Sequence, residues 1–238
     1  MLFEKNLPLG AENFVLTGVR PIETLPQLVW TACSIDAYKV TVALGKIESH
    51  ILKLYSSKII QSDMARLVLR KSLQAAYPWC EVERWRISQA FGHRPSVDGP
   101  VQLDVSLSHR SCWVVSAFSA ERAIGIDIET LPSQLKEDAW DLFLSADEIA
   151  WMRRVSQERS ALTALALWCA KEAYLKASHQ AGKVSMKDIV FSPELKLLKC
   201  KGVASKEPWL TQVWQLEGDL LLAVCLGAQQ APSKEQEL

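Results

Sequence analysis

Apolar and polar positions along the chain change period several times, and each change marks an element. Residues 1–27, punctuated by Pro8, Gly10, Pro21 and Pro26, read as an irregular lead-in. The run Leu28-Val-Trp-Thr-Ala-Cys-Ser-Ile-Asp36 then reads as a strand. A largely helical stretch is expected after it, ending in a strong amphipathic helix over Ser57–Ala76. There Ile60, Met64, Leu67, Val68 and Leu73 keep helical spacing, and Tyr77-Pro78 stops the helix. Short strands are expected near 82–87, 101–108 and 112–119, divided by turns at Gly92-His-Arg-Pro95 and Asp98-Gly-Pro100.

The order then begins again. A strand is expected at 123–129, helices near 137–143, 146–154 and 160–177, and closing strands near 188–191, 195–200, 212–216 and 220–226. Residues 229–238 are polar and read as a frayed tail. Two passes of strand, long helix and strands predict an α+β fold, a pseudo-dimer of two similar halves, 28–120 and 122–228. Each half is expected to pack a long helix on a small, mostly antiparallel sheet.

Composition narrows the class. Of 238 residues, 49% are apolar and 23% charged, as in an ordinary globular protein. Lys and Arg total 27 against 27 Asp and Glu, a balance that disfavours a general nucleic-acid or anionic-lipid binder. The most apolar run, 161–170, is far short of the roughly 18 residues a membrane span needs. The start, MLFEKNLPLGAENF, lacks the features of a signal peptide, so a cytoplasmic protein is expected. Six cysteines (33, 80, 112, 169, 200, 225) lie scattered with no CxxC pair, which favours reduced thiols and excludes a zinc site of standard spacing.

Three segments carry candidate chemistry. In Ile124-Gly-Ile-Asp-Ile-Glu129 the isoleucines share one strand face, and Gly125, Asp127 and Glu129 share the other. Gly125 is expected to leave open space beside two neighbouring carboxylates. Those carboxylates are either solvated acids on a half-exposed strand or ligands for an oxygen-preferring dication such as Mg²⁺. In Trp168-Cys-Ala-Lys-Glu-Ala-Tyr-Leu-Lys176, Glu172 and Lys176 stand four apart on one helix face, bordered by Leu165, Trp168 and Leu175, with Lys171 about 100° round. That pair is either an ordinary surface contact or part of a site at the core's edge. The third segment, Ser106-Leu-Ser-His-Arg-Ser111, ends a strand in a polar turn where Ser108 and His109 either serve the fold or meet a phosphate.

The order and spacing of Ser108-His109, Gly125-x-Asp127-x-Glu129 and Trp168-x-x-Lys-Glu-Ala-x-x-Lys176 resembles the 4′-phosphopantetheinyl transferase superfamily. Gly92-His-Arg-Pro95 looks like that family's Gly-Lys/Arg-Pro turn, and Leu142-Phe-Leu-Ser-Ala-Asp-Glu148 resembles its Phe-Ser-x-x-Glu element. The resemblance covers about 92–178, and a chain with both halves fused looks like the Sfp-type branch, a monomeric pseudo-dimer. It implies transfer of 4′-phosphopantetheine from coenzyme A to a serine of an apo acyl or peptidyl carrier protein. Fatty-acid, polyketide and nonribosomal-peptide carriers all fit. By the same resemblance Asp127, Glu129 and Glu172 hold Mg²⁺, Glu172 is the general base, and Lys176 partners the pyrophosphate. Ser108, His109, Arg94 and Lys58 grip the nucleotide, and the site sits at the seam of the halves. Leu135, Trp140, Leu144 and Trp151 form a candidate carrier-docking face, and Trp79 and Trp85 a hydrophobic rim. The alternative is a non-catalytic coenzyme A or nucleotide-binding module of the same fold.

Under that resemblance the neutral charge divides. Residues 39–94 hold ten basic and four acidic side chains, and residues 127–172 hold nine acidic and five basic. The first suits nucleotide phosphates and the second a metal.

Overall fold

The computed structural model describes residues 17–21, 28–35, 40–47, 57–88, 93–130, 139–201, 209–216 and 220–229. The fold is α+β, and the described chain divides into two compact units that meet in sequence at Ile124 and Gly125.

In the first unit, strands β1 (Thr17–Pro21), β2 (Leu28–Ile35), β3 (Val40–Ile47), β6 (Asp104–Arg110) and β7 (Trp113–Ser119) form one sheet. Its order is β1-β2-β3-β7-β6, and every neighbouring pair is antiparallel. Two expectations are corrected here. The stretch after residue 36, read as helical, contains β3, because Val40, Thr41, Val42 and Ile47 are β-branched and its backbone is paired on both sides by β2 and β7. Within the supposedly irregular lead-in, β1 forms the sheet edge, where Pro21 fits because an edge strand can spare an N–H.

Helix α1 (Ser57–Ala76) crosses β3, β6 and β7. Gln61, Ala65, Val68, Leu69, Ser72 and Leu73 are its buried stripe, at the spacing of one helix face. Leu69 and Leu73 pack with Cys80, Trp85, Leu103, Val105 and Phe118. Trp85, expected at a rim, is 1% exposed, while Trp79 is 65% exposed. The segment 82–87, read as a strand, is instead a 3₁₀ turn at Val82–Arg84 leading into the short strand β4 (Arg86–Ser88), which pairs with β5 (Ser96–Asp98).

Strand β8 (Arg122–Thr130) carries the chain into the second unit, whose main sheet has the order β11-β12-β8, with β11 at Leu210–Gln215 and β12 at Leu220–Gln229. Strands β9 (Ile189–Phe191) and β10 (Leu197–Cys200) form a separate antiparallel pair. Helices α2 (Trp140–Phe143) and α3 (Ala146–Met152) precede the long helix α4 (Gln157–Ala177). Between Ala164 and Ala177 helix α4 is buried almost all round, and five alanines there let neighbours approach its backbone. A Schellman-type end stops it: Gln180 N–H donates to the Leu175 carbonyl at 3.1 Å, with His179 in the left-handed region at φ 57°. Among the described residues no helix is long and apolar enough to cross a membrane.

Candidate functional site

Strand β8 keeps its expected alternation, with Ile124, Ile126 and Ile128 all buried. The opposite face is not open. A Cβ on Gly125 would overlap the Ala173 carbonyl and crowd the Ala177 amide, so the space expected beside this glycine is filled by the backbone of α4. The sequence permits this contact because glycine on the strand meets alanines on the helix.

The close approach brings the next residue on that strand face to the polar edge of α4. Lys176 Nζ donates to Asp127 Oδ1 at 2.7 Å and to the Ile126 carbonyl at 3.0 Å. Asp127 is buried and Lys176 half-buried. The Cys169 thiol is fully buried and close enough to Asp127 to feel its charge. Its pKa is pushed well up, first by burial and then by the negative charges of Asp127 and Glu129. Burial raises the pKa of Glu172 as well; Lys176 pulls it back and Asp127 pushes it further up. Asp127, Cys169, Glu172 and Lys176 therefore form one electrostatic group, and Glu129 lies within reach of it through Cys169. Among the described residues no three of His, Cys, Asp and Glu stand in an arrangement that could hold a metal ion.

A second charged group on α4 went unassigned in the sequence. Lys171 and Glu148 form a fully buried ion pair at 2.6 Å. Burial lowers the Lys171 pKa and Glu148 pulls it back. One signal for it was legible: Ser145-x-x-Glu148 is a capping box. Ser145 Oγ accepts from Glu148 N–H at 3.2 Å, and Glu148 Oε2 accepts from Ser145 N–H at 2.8 Å.

In the first unit, β6 and β7 are joined by the two-residue turn Ser111-Cys112, with Ser111 in the left-handed region at φ 54°. Gln61 on α1 holds this turn, its Nε2 donating to the Ser111 carbonyl. Ser108 is buried near the end of β6, and His109 and Arg110 are exposed beyond it. Arg94 turns inward. Its guanidinium donates to the carbonyls of Val105 (2.7 and 2.9 Å) and Ile124 (2.6 Å) and pairs with Asp104 at 2.8 Å. Asp104 in turn accepts from Ile124 N–H at 2.6 Å. The group expected to grip a nucleotide is thus engaged in holding strand backbones, and burial lowers its pKa. Lys58 lies in the first turn of α1, and its side chain falls outside the described residues.

The expected docking face dissolves in part. Trp140 and Leu144 are core residues, 5% and 1% exposed, because α2 packs them against α4. Leu142, which the sequence did not single out, is 78% exposed. Leu135 lies outside the described residues.

Residues 123–225 match the sequence model of the 4′-phosphopantetheinyl transferase superfamily. The chain is also 32% identical over 84 residues to a curated 4′-phosphopantetheinyl transferase, gsp, of Aneurinibacillus migulanus. That stretch is 35% of this chain and 34% of the relative, so the chain spans about one third of the length of the curated relative it matches.

Proposed function

We propose that this protein transfers the 4′-phosphopantetheine group of coenzyme A to a serine hydroxyl of an apo acyl or peptidyl carrier protein, releasing 3′,5′-adenosine bisphosphate. One observation carries the reading. Inside the matched region, the contact of α4 with β8 at Gly125 gathers a buried carboxylate, a second carboxylate of raised pKa and an ammonium into one group. A long helix against an antiparallel sheet in each unit supports the finer reading of two fused halves, the Sfp-type arrangement.

The chemistry follows from those groups. The serine oxygen forms a bond to the β-phosphorus of coenzyme A as the bond from that phosphorus to the bridging oxygen breaks, and the electron pair leaves on the bisphosphate. Glu172 accepts the serine proton; a carboxylate whose pKa is raised by burial is a better base than one in water. Lys176, whose ammonium pairs with Asp127, would meet the pyrophosphate charge. In the other unit, Ser108, His109 and Lys58 would supply donors to the nucleotide, and Arg94 would hold the strand on which the first two stand.

Asp127, Glu129 and Glu172 would hold Mg²⁺ only after drawing together, since as they stand they are not gathered into a three-ligand set. The donor set suits it: all three are hard oxygen ligands, and the Asp127 charge that raises Glu172 is a repulsion that a dication relieves. When bound, Mg²⁺ would neutralise the charge that builds on the leaving pyrophosphate oxygens.

Incubation of the protein with coenzyme A, Mg²⁺ and a panel of apo carrier proteins, read by intact mass, tests the reading. A phosphopantetheine mass gain is expected on at least one carrier, with a fall of about 100-fold or more in Glu172→Gln. Binding of coenzyme A with no mass gain on any carrier would instead leave a non-catalytic binding module.

A further inference from the structure

The buried pair of Lys171 and Glu148 joins more of the second unit than any purely local contact needs. Lys171 Nζ donates to the Phe143 carbonyl at the end of α2 (2.8 Å), to Glu148 Oε2 on α3 (2.6 Å) and to the Met186 carbonyl in the 3₁₀ turn Met186–Asp188 (3.0 Å). Three N–H donors meet three acceptors. Glu148 accepts from Ser145 N–H through Oε2 and from Phe191 N–H on β9 through Oε1 at 2.9 Å. Two side chains, both 0% exposed, thus tie α4 to α2, α3, the 3₁₀ turn and β9.

Net stability is a poor reason for such a pair. Two desolvated charges are often no more stabilising than apolar residues of the same volume, whereas a fixed set of polar partners admits only one register. The register matters because Glu172 is the next residue on α4. Where α4 meets β8 the contact is Ala173 and Ala177 against Gly125, small residues that interlock little and so resist sliding weakly. The polar contacts of Lys171 supply the directional constraint that the alanines lack.

We propose that Lys171 and Glu148 are positioning residues that set the rotation and height of α4, and through it the placement of Glu172 and Lys176 beside Asp127. The inference rests on the transferase reading for its functional consequence. Neither residue touches substrate.

The test compares Lys171→Met with Leu69→Ala, a core truncation on α1 in the first unit, outside the cluster that packs on α4. Both are assayed well below their own Tm. Mn²⁺ affinity without coenzyme A is read by electron paramagnetic resonance, and kcat and KM by carrier mass gain. Lys171→Met is expected to weaken Mn²⁺ binding and lower kcat by about 10-fold or more each, with KM for coenzyme A little changed, since partners that orient metal ligands are worth that much. Leu69→Ala should stay within about 2-fold of the parent in all three. Should Lys171→Met fail to fold, Glu148→Gln, which keeps the size of the side chain and removes its charge, replaces it with the same expectation. A variant of either pair member that is destabilised yet retains parental Mn²⁺ affinity and kcat overturns the positioning role and leaves the transferase reading intact. A parent protein that binds Mn²⁺ but modifies no carrier overturns the transferase reading, and the Mn²⁺ affinities still decide the positioning role.

Discussion

Helices α1 and α4 are nearly the same length, 20 and 21 residues, and each packs on a sheet, yet they use polar residues in opposite ways. Helix α1 has one apolar stripe and a solvated back, where Arg66 pairs with Asp63 at 2.9 Å. Its buried polar contact, Gln61 to the Ser111 carbonyl, is at the stripe's edge. Helix α4 is buried nearly all round and carries charge on two sides: Lys171 into the core, and Glu172 with Lys176 at the rim. On the proposed function α1 is a scaffold, for which one stripe suffices, whereas α4 would carry the reactive groups and must also be prevented from turning.

Perturbations should reproduce that contrast, beginning with the largest. Lys171→Ala leaves the Glu148 charge buried without its counter-charge and should lower the unfolding free energy by about 3–5 kcal/mol. Arg66→Ala on α1 should cost no more than about 0.5 kcal/mol, because an exposed pair three residues apart is weak. Urea titration measures both, and equal losses would erase the distinction between the helices.

Next in size are the apolar contacts. Leu69→Ala should cost about 2–5 kcal/mol through the cavity left among Leu73, Trp85, Val105 and Phe118, without impairing transfer by the folded fraction. Gly125→Ala should cost about 1–3 kcal/mol, since the added methyl meets helix backbone, which cannot rotate out of the way as a side chain can. It should also lower transfer by the folded fraction by about 100-fold, because displacement of α4 from β8 parts Glu172 and Lys176 from Asp127. Specific activity alongside a urea curve separates the two effects; full activity in Gly125→Ala would refute the account of the site.

The smallest effect is a pattern of non-reaction. Burial pushes the Cys225 thiol up to about 12 and that of Cys169 well up, so both are protonated and inaccessible at pH 8. Iodoacetamide on the folded protein should spare them and label the half-exposed Cys112 and Cys200, as peptide masses will show. Labelling of Cys169 before Cys200 would mean that α4 opens more readily than the rest of its unit.

Much of the fold was legible because its signals are local. Helix α1, the alternation of β8 and the helical 160–177 stretch depend on residues within one or two turns of one another, and each has its counterpart in the structure. Of the expected α1 stripe, however, only Val68 and Leu73 are buried, while Ile60, Met64 and Leu67 lie half-buried at its border. Strand β3 was misread because it is apolar on both faces as well as paired on both edges. A short apolar run of that kind carries no period to separate strand from helix. Trp140 and Leu144 were placed at the surface for a related reason: a four-residue helix is too short to show which side it buries.

The sequence alone determined the α+β class, the strand face that bears Asp127 and Glu129, and the helix face shared by Glu172 and Lys176, since these follow from the periods of 2 and 3.6. Three other features depended on tertiary structure: Gly125 admits the backbone of α4, Arg94 turns inward to strand carbonyls, and Lys171 reaches Glu148 across 23 residues of chain. Each is a long-range contact whose partners have no fixed spacing in sequence; the first is selected by steric room and the other two by the cost of leaving a buried charge or carbonyl unsatisfied.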